Sequence, residues 1–224
     1  GLDTIIGALL LAPAARLIAF AADPVVNAAM EYIGMTITAA TEQSPVIMGF
    51  LLGGIMKMIC TSPLSSMALT AMLGLTGLPM GIAAIACVAG SFTNGILFAR
   101  LHLGDRSNVI AVMLEPLTQA HIITRYPIPI YASDFLGGGL AGIAAALLGI
   151  VNNAPGTASP IPGLMAPFAF NPAGKVVLAL AIGAASGIFA GLVGSFVFKR
   201  FATGEKASVK APVQVSGTAL PSKV

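Results

Sequence analysis

Apolar runs broken by glycine, proline and a few charges set the organisation of the chain. Residues 2–22 are apolar except for one charge, Arg16, with Asp3 near one end and Asp23 just beyond the other, a length that fits one membrane crossing. Pro24 opens a different segment. Over 25–40 the polar residues Asn27, Glu31 and Tyr32 recur at near-helical spacing, predicting an interfacial or interior-facing helix whose polar face needs water or protein. Residues 45–60 form the next predicted span, with Gly49, Gly53 and Gly54 to admit a neighbouring helix and a single charge, Lys57. The apolar stretch 64–75, closed by Gly74, Gly77 and Pro79, is too short to cross a bilayer and predicts a re-entrant or broken helix.

Residues 80–99 are long enough to span, and 100–108, with His102, Asp105 and Arg106, are a polar connection. The stretch 109–134 combines Glu115, Pro116, Gln119, His121, Arg125 and the run Tyr126-Pro127-Ile128-Pro129-Ile130-Tyr131, too polar and proline-broken for a plain lipid-facing helix. Residues 135–151 are a glycine- and alanine-rich span. The five prolines and three asparagines of 152–172 predict irregular backbone, which survives at membrane depth only inside protein or against an aqueous cavity. The last span is 175–198, where Gly187 and Gly191 form a GxxxG packing face. Beyond it, 202–224 reads as a disordered basic tail.

Composition fixes the class. The 224 residues are 57% hydrophobic and 8% charged, against about 25% charged in soluble domains, so most of the outer surface must face lipid. The fold expected is an all-α integral membrane protein, a polytopic bundle of about six or seven spans with broken helices and re-entrant loops. It comprises one membrane-embedded domain over 1–201 and the tail over 202–224. Net charge is +3, but five of the eleven bases lie after residue 198, which suits positive-inside anchoring and a cytoplasmic C-terminus rather than nucleic-acid binding. The chain opens at Gly1 without Met, the mark of a processed or incomplete start.

Candidate chemistry is sparse. No nucleophile elbow, metal-ligand spacing or catalytic constellation is present, and no cofactor is implied. Cys60 and Cys87 read as buried free thiols. Ionisable residues at membrane depth are functional candidates by default, which singles out Glu115, His121 and Arg125, with Lys57 and Glu31 as potential partners. The alternative is a headgroup-level loop with solvated charges. The segment Asn152-Asn153-Ala154-Pro155-Gly156-Thr157 offers backbone and amide groups that can replace the hydration shell of a polyhydroxylated solute, or else form a simple extramembrane turn.

At Thr61-Ser62-Pro63-Leu64-Ser65-Ser66, at Gly74-Leu75-Thr76-Gly77 and again from Asn152 to Gly163, the chain resembles the membrane (IIC) subunits of bacterial phosphotransferase-system sugar permeases, the PfoR-like branch in particular. The resemblance implies a multi-pass homodimeric permease of the bacterial inner membrane that hands a sugar-like solute to a cytoplasmic IIB phosphocarrier. The family's Glu-containing loop is matched loosely by Leu114-Glu115-Pro116, and no phosphocarrier domain is present in the chain. The solute site expected is Glu115, Gln119, His121, Arg125, Asn152, Asn153 and Thr157. Two other readings are a non-transporting membrane sensor with this fold and an ion-coupled carrier using Glu115 and His121.

Overall fold

The computed structural model describes the backbone of residues 2–199, with side chains from Leu11 onward and at Leu9; the predicted tail, 202–224, lies outside the described residues. The elements are helices α1 (Leu2–Gln43), α2 (Pro45–Thr61), α3 (Ser66–Met72), α4 (Gly77–Leu101), α5 (Arg106–Leu114), α6 (Ala120–Ile123), α7 (Pro127–Leu147), α8 (Pro160–Met165) and α9 (Ala173–Val197). Short 3-10 turns lie at Pro116–Gln119 and Ala166–Ala169. Among the described residues α4, α7 and α9 are long and apolar enough to cross a membrane, and α2 is a shorter apolar helix. The fold is an all-α membrane bundle.

Glycine decides how these helices meet. Gly49 and Gly53 of α2 face Gly142 and Gly138 of α7, and an added Cβ at any of the four would run into the opposing backbone carbonyl. Two GxxxG faces are thus pressed together, antiparallel, at backbone contact. The predicted Gly187–Gly191 face does pack on a helix: Gly187 lies against Ala89 and Gly191 against Thr93 of α4, so α4 and α9 run parallel. The Thr93 hydroxyl donates to the Gly187 carbonyl at 3.1 Å. Gly81 against Ile150 and Gly137 against Thr93 set α4 antiparallel to α7, leaving α4 almost fully enclosed.

Because α2 and α4 also run parallel, residues 62–76 must return across the height of α2, about 25 Å for its 17 residues. They do so through the short helix α3, as the pattern predicts. Gly74 and Gly77, both at positive φ (59° and 65°), make the turn into α4 that a side chain would strain. Two further broken segments enter the bundle from opposite ends. From the end of α4, α5 descends until Met113 lies against Gly95; from the other end, α8 enters until Gly163 lies against Ala84. The chain that length alone would assign to extra spans is spent on these segments.

Two boundaries differ from the expected ones. α1 runs unbroken through Pro13 and Pro24 instead of ending near residue 22. A helix interior that loses one backbone bond at proline can persist where long apolar flanks keep the remaining bonds. α7 begins at Pro127, eight residues before the predicted span, because prolines in the first turn give up N–H groups that have no intrahelical partner in any case. Asp134 therefore lies inside a membrane helix.

At the α4–α5 corner, His102 in the left-handed region closes α4 (φ 54°), and Asp105 caps α5. Asp105 Oδ1 accepts from the Ser107 hydroxyl (2.7 Å) and the N–H groups of Ser107 (2.8 Å) and Asn108 (3.0 Å). The Ser107 hydroxyl first, then the Asn108 N–H, hold this carboxyl below the usual carboxylate range. A lowered folded value means the cap contributes fully above the ordinary aspartate range, near pH 4, and is lost as pH falls through the lowered value. Hydrogen exchange at Ser107 and Asn108 is expected to accelerate as pH drops below 4 after correction for intrinsic rates; in Asp105→Asn, where an amide keeps the acceptor, that extra acceleration should vanish.

Candidate functional site

Lys57 and Asp134 are fully buried charges on the two helices that touch at backbone distance. Their side chains approach to 3.9 Å, Nζ to Oδ1, close enough for Coulomb attraction and too long for a hydrogen bond. Lys57 can lie here because α4 offers Gly90: a Cβ there would overlap the lysine side chain near its end. One turn further along each helix sit Thr61 and Asn94, joined by an Asn94 Nδ2 to Thr61 Oγ1 hydrogen bond of 3.2 Å. Both lie near Asp134, yet neither of its carboxylate oxygens has a partner in hydrogen-bond geometry.

Five buried polar atoms are thus unsatisfied: Lys57 Nζ, Ser91 Oγ, Asn94 Oδ1 and both oxygens of Asp134. Uncompensated polar groups at membrane depth are costly, and so many on three facing helices make this the chemically distinctive place in the described fold. Lys57, Asn94 and Asp134 offer a donor (ammonium) and acceptors (amide oxygen, carboxylate) in one cluster, which suits water or a solute hydroxyl that both donates and accepts.

The expected site residues fall into two groups. Glu115, Gln119, His121 and Arg125 lie on the broken segment after α5. Glu115 ends α5 and is exposed, with Lys57 within long-range electrostatic reach. Gln119 is buried and accepts from Asn108 Nδ2 at 2.7 Å. His121 and Arg125 are exposed, and Arg125 forms no ion pair with Glu115. Asn152, Asn153 and Thr157 gather instead around the entry to α4. Asn152 Nδ2 donates to Thr157 Oγ1 (2.8 Å), and its Oδ1 accepts from the Ala154 N–H (3.0 Å). Its own N–H donates to the Gly77 carbonyl (2.9 Å), and Asn153 Oδ1 accepts from the Gly77 N–H (3.0 Å).

The Asn/Pro-rich segment is therefore sewn onto the Gly74–Gly77 turn, and Ser66 Oγ reinforces the seam by donating to the Ala158 carbonyl at 2.6 Å. Glu31, the other suggested partner, is exposed on α1. Cys60 and Cys87 are free, buried and adjacent. No group of three metal-ligating side chains occurs among the described residues.

Asp134, Asn94 and Thr61 escaped the sequence reading. The available signal was a single acid with apolar and glycine residues on its C-terminal side, masked by the prolines before it.

A family model described as "Phosphotransferase system, EIIC" matches residues 1–210. None of the curated proteins matches the chain. None of the solved structures does either.

Proposed function

Since the chain belongs to the phosphotransferase-system EIIC family and is a membrane component of sugar transport, we propose that it is the permease subunit that binds and translocates a small polyhydroxylated solute, a sugar or sugar derivative. The observation that carries the proposal is the cluster of unsatisfied donors and acceptors around Lys57 and Asp134, with the broken segment that follows Glu115 packed against α2, the helix that carries Lys57. Helix breaks at membrane depth are the usual way to present backbone and side-chain groups to a polar solute.

In this reading Glu115 accepts from solute hydroxyls and Lys57, Asp134 and Asn94 complete their hydrogen bonding. Gln119, His121 and Arg125 orient the segment that carries Glu115. Asn152, Asn153 and Thr157 border the route from the other end, where their bonds to Gly77 and to one another govern how far the two re-entrant segments can part. A phosphorylated cytoplasmic IIB protein receives the solute, and the working unit is a homodimer in the bacterial inner membrane. Arg100, Arg106, Arg125 and Lys199 all lie toward one end of the bundle, which favours placing that end in the cytoplasm.

The test is uptake of labelled hexoses, hexitols and disaccharides into proteoliposomes carrying phosphorylated IIB inside. Accumulation of a phosphorylated sugar is expected for the wild type, and a loss of about tenfold or more for Glu115→Gln, because an amide in place of the carboxylate removes a charge-assisted acceptor of solute hydroxyls. Undiminished uptake in both Glu115→Gln and Asn153→Ala would remove the two segments from the solute route. The paired charges supply a specific reason to keep the ion-coupled reading: uptake driven by a pH gradient without IIB would establish it instead.

A further inference from the structure

Two cysteines that the proposed solute route leaves unused meet across the contact between α2 and α4. Cys60 lies in the last turn of α2 and Cys87 midway along α4; both are free, both belong to the apolar core, and their thiols are adjacent. The helices come close at this level because α4 offers Gly90, three residues after Cys87, to the side chain of Lys57, three residues before Cys60. One residue beyond Cys60, the Asn94 amide donates to the Thr61 hydroxyl and closes the same seam. Two thiols on different helices have a reaction that a single buried thiol lacks, because they can join.

Two neighbours set this pair apart from the small buried hydrophobes that free cysteines usually are. The Lys57 ammonium stands within electrostatic reach of both sulfurs and makes no hydrogen bond of its own; Asp134 approaches the same ammonium only to 3.9 Å. The Ser66 hydroxyl lies beside Cys60. A cation near a thiol favours the thiolate, which is the form that reacts. Cys60 keeps 6% of its surface exposed and Cys87 none, so a small oxidant meets Cys60 first. We propose that Cys60 and Cys87 are an oxidisable dithiol, and that their disulfide fastens α2 to α4 and arrests transport. The oxidant is a hydroperoxide, small and neutral enough to enter where bulkier reagents are kept out. The Cys60 thiolate attacks the peroxide and its O–O bond breaks. The sulfur gives up two electrons and becomes a sulfenic acid, while the departing oxygen takes a proton and leaves as water or an alcohol. The Cys87 sulfur then attacks the sulfenic sulfur; the S–S bond forms, and the hydroxyl leaves as water with the Cys87 proton. Arrest of transport rests on the permease reading, since α2 and α4 carry Lys57 and Asn94; formation of the bond does not.

The full chain, purified in detergent with reductant and then freed of it, is treated with hydrogen peroxide, unfolded, alkylated with iodoacetamide and mapped by mass spectrometry without reduction. Both thiols are expected to disappear together into one cross-link between Cys60 and Cys87, and dithiothreitol should restore both. The oxidised protein should melt about 5 °C or more above the reduced one. Cys60→Ser should give no cross-link. Lys57→Met with Asp134→Leu, which removes the cation and replaces the buried pair by apolar groups, should slow the oxidation about tenfold. Peroxide applied before reconstitution should lower wild-type uptake about tenfold, reversibly with dithiothreitol, and leave Cys60→Ser uptake unchanged. Sulfinic acid at either cysteine without a cross-link, or two thiols still alkylated after an exposure that fully oxidises glutathione, overturns the proposal. A cross-link with undiminished uptake overturns the arrest. If the reduced protein moves no solute, the permease reading fails by itself, while the cross-link and the thermal midpoint still decide the dithiol.

Discussion

Asp134→Leu is expected to destabilise the protein by about 3–5 kcal/mol, the cost of stranding one charge of a buried pair. Lys57 is fully buried, its side chain runs past Gly90 in α4, and in the variant its ammonium would lose the carboxylate 3.9 Å away with no hydrogen bond of its own to fall back on. At roughly 2–4 °C per kcal/mol for a chain of this size, the thermal midpoint should fall by roughly 10 °C. Lys57→Met should do comparable damage by stranding Asp134, whose oxygens have no hydrogen bond to fall back on. The decisive variant is Lys57→Met with Asp134→Leu. A buried ion pair replaced by apolar groups of similar size often loses nothing, so the double variant should regain most of the stability. If the pair serves solute recognition, transport stays lost although the midpoint recovers. Recovery of both would make the pair a packing device and remove it from the solute route.

That this pair was half visible in the sequence shows what a linear reading can carry. Lys57 stood out as a lone charge in an apolar, glycine-rich helix, and α2, α4 and α9 ended close to where proline, glycine and charge said they would. Asp134 closes the 109–134 stretch, which reads as too polar and proline-broken for a plain lipid-facing helix because Pro127 and Pro129 read as breaks. Their tolerance in a first helical turn moved the start of α7 back by two turns and carried the acid into the bundle. α1 shows the same ambiguity at Pro24, where the chain continues as helix. The Asn152-Asn153 segment was legible as irregular and polar. That its bonds run to Gly77 was not, since 76 residues separate Asn153 from its partner and local pattern contains no record of such a distance. Glu115 lay between these cases: its break was legible from Glu115-Pro116, its approach to Lys57 only from the descent of α5 along α4.

Gly142→Leu is expected to be as damaging by a different route. A Cβ at Gly142 would overlap the Gly49 carbonyl oxygen and lie 3.1 Å from Gly53 Cα, so the added bulk meets backbone and no rotamer relieves it. α2 must then move away from α7. Overpacking a core costs typically 1–3 kcal/mol where side chains can yield, and more is expected where two helix backbones must separate, so the midpoint should again fall by roughly 10 °C. The same shift widens the 3.9 Å gap between Lys57 and Asp134, each about two turns along its helix from the Gly49–Gly142 contact, so the variant should lose the pair's attraction as well. Cys60 and Cys87, free and buried, supply the readout: a thiol-reactive fluorophore reports melting as they become accessible. Gly174→Ala is the control, because an added Cβ there meets nothing within 4 Å, and its midpoint should match the wild type. If Gly142→Leu melted with that control, the paired glycine faces of α2 and α7 would not be what holds the charged pair inside the bundle.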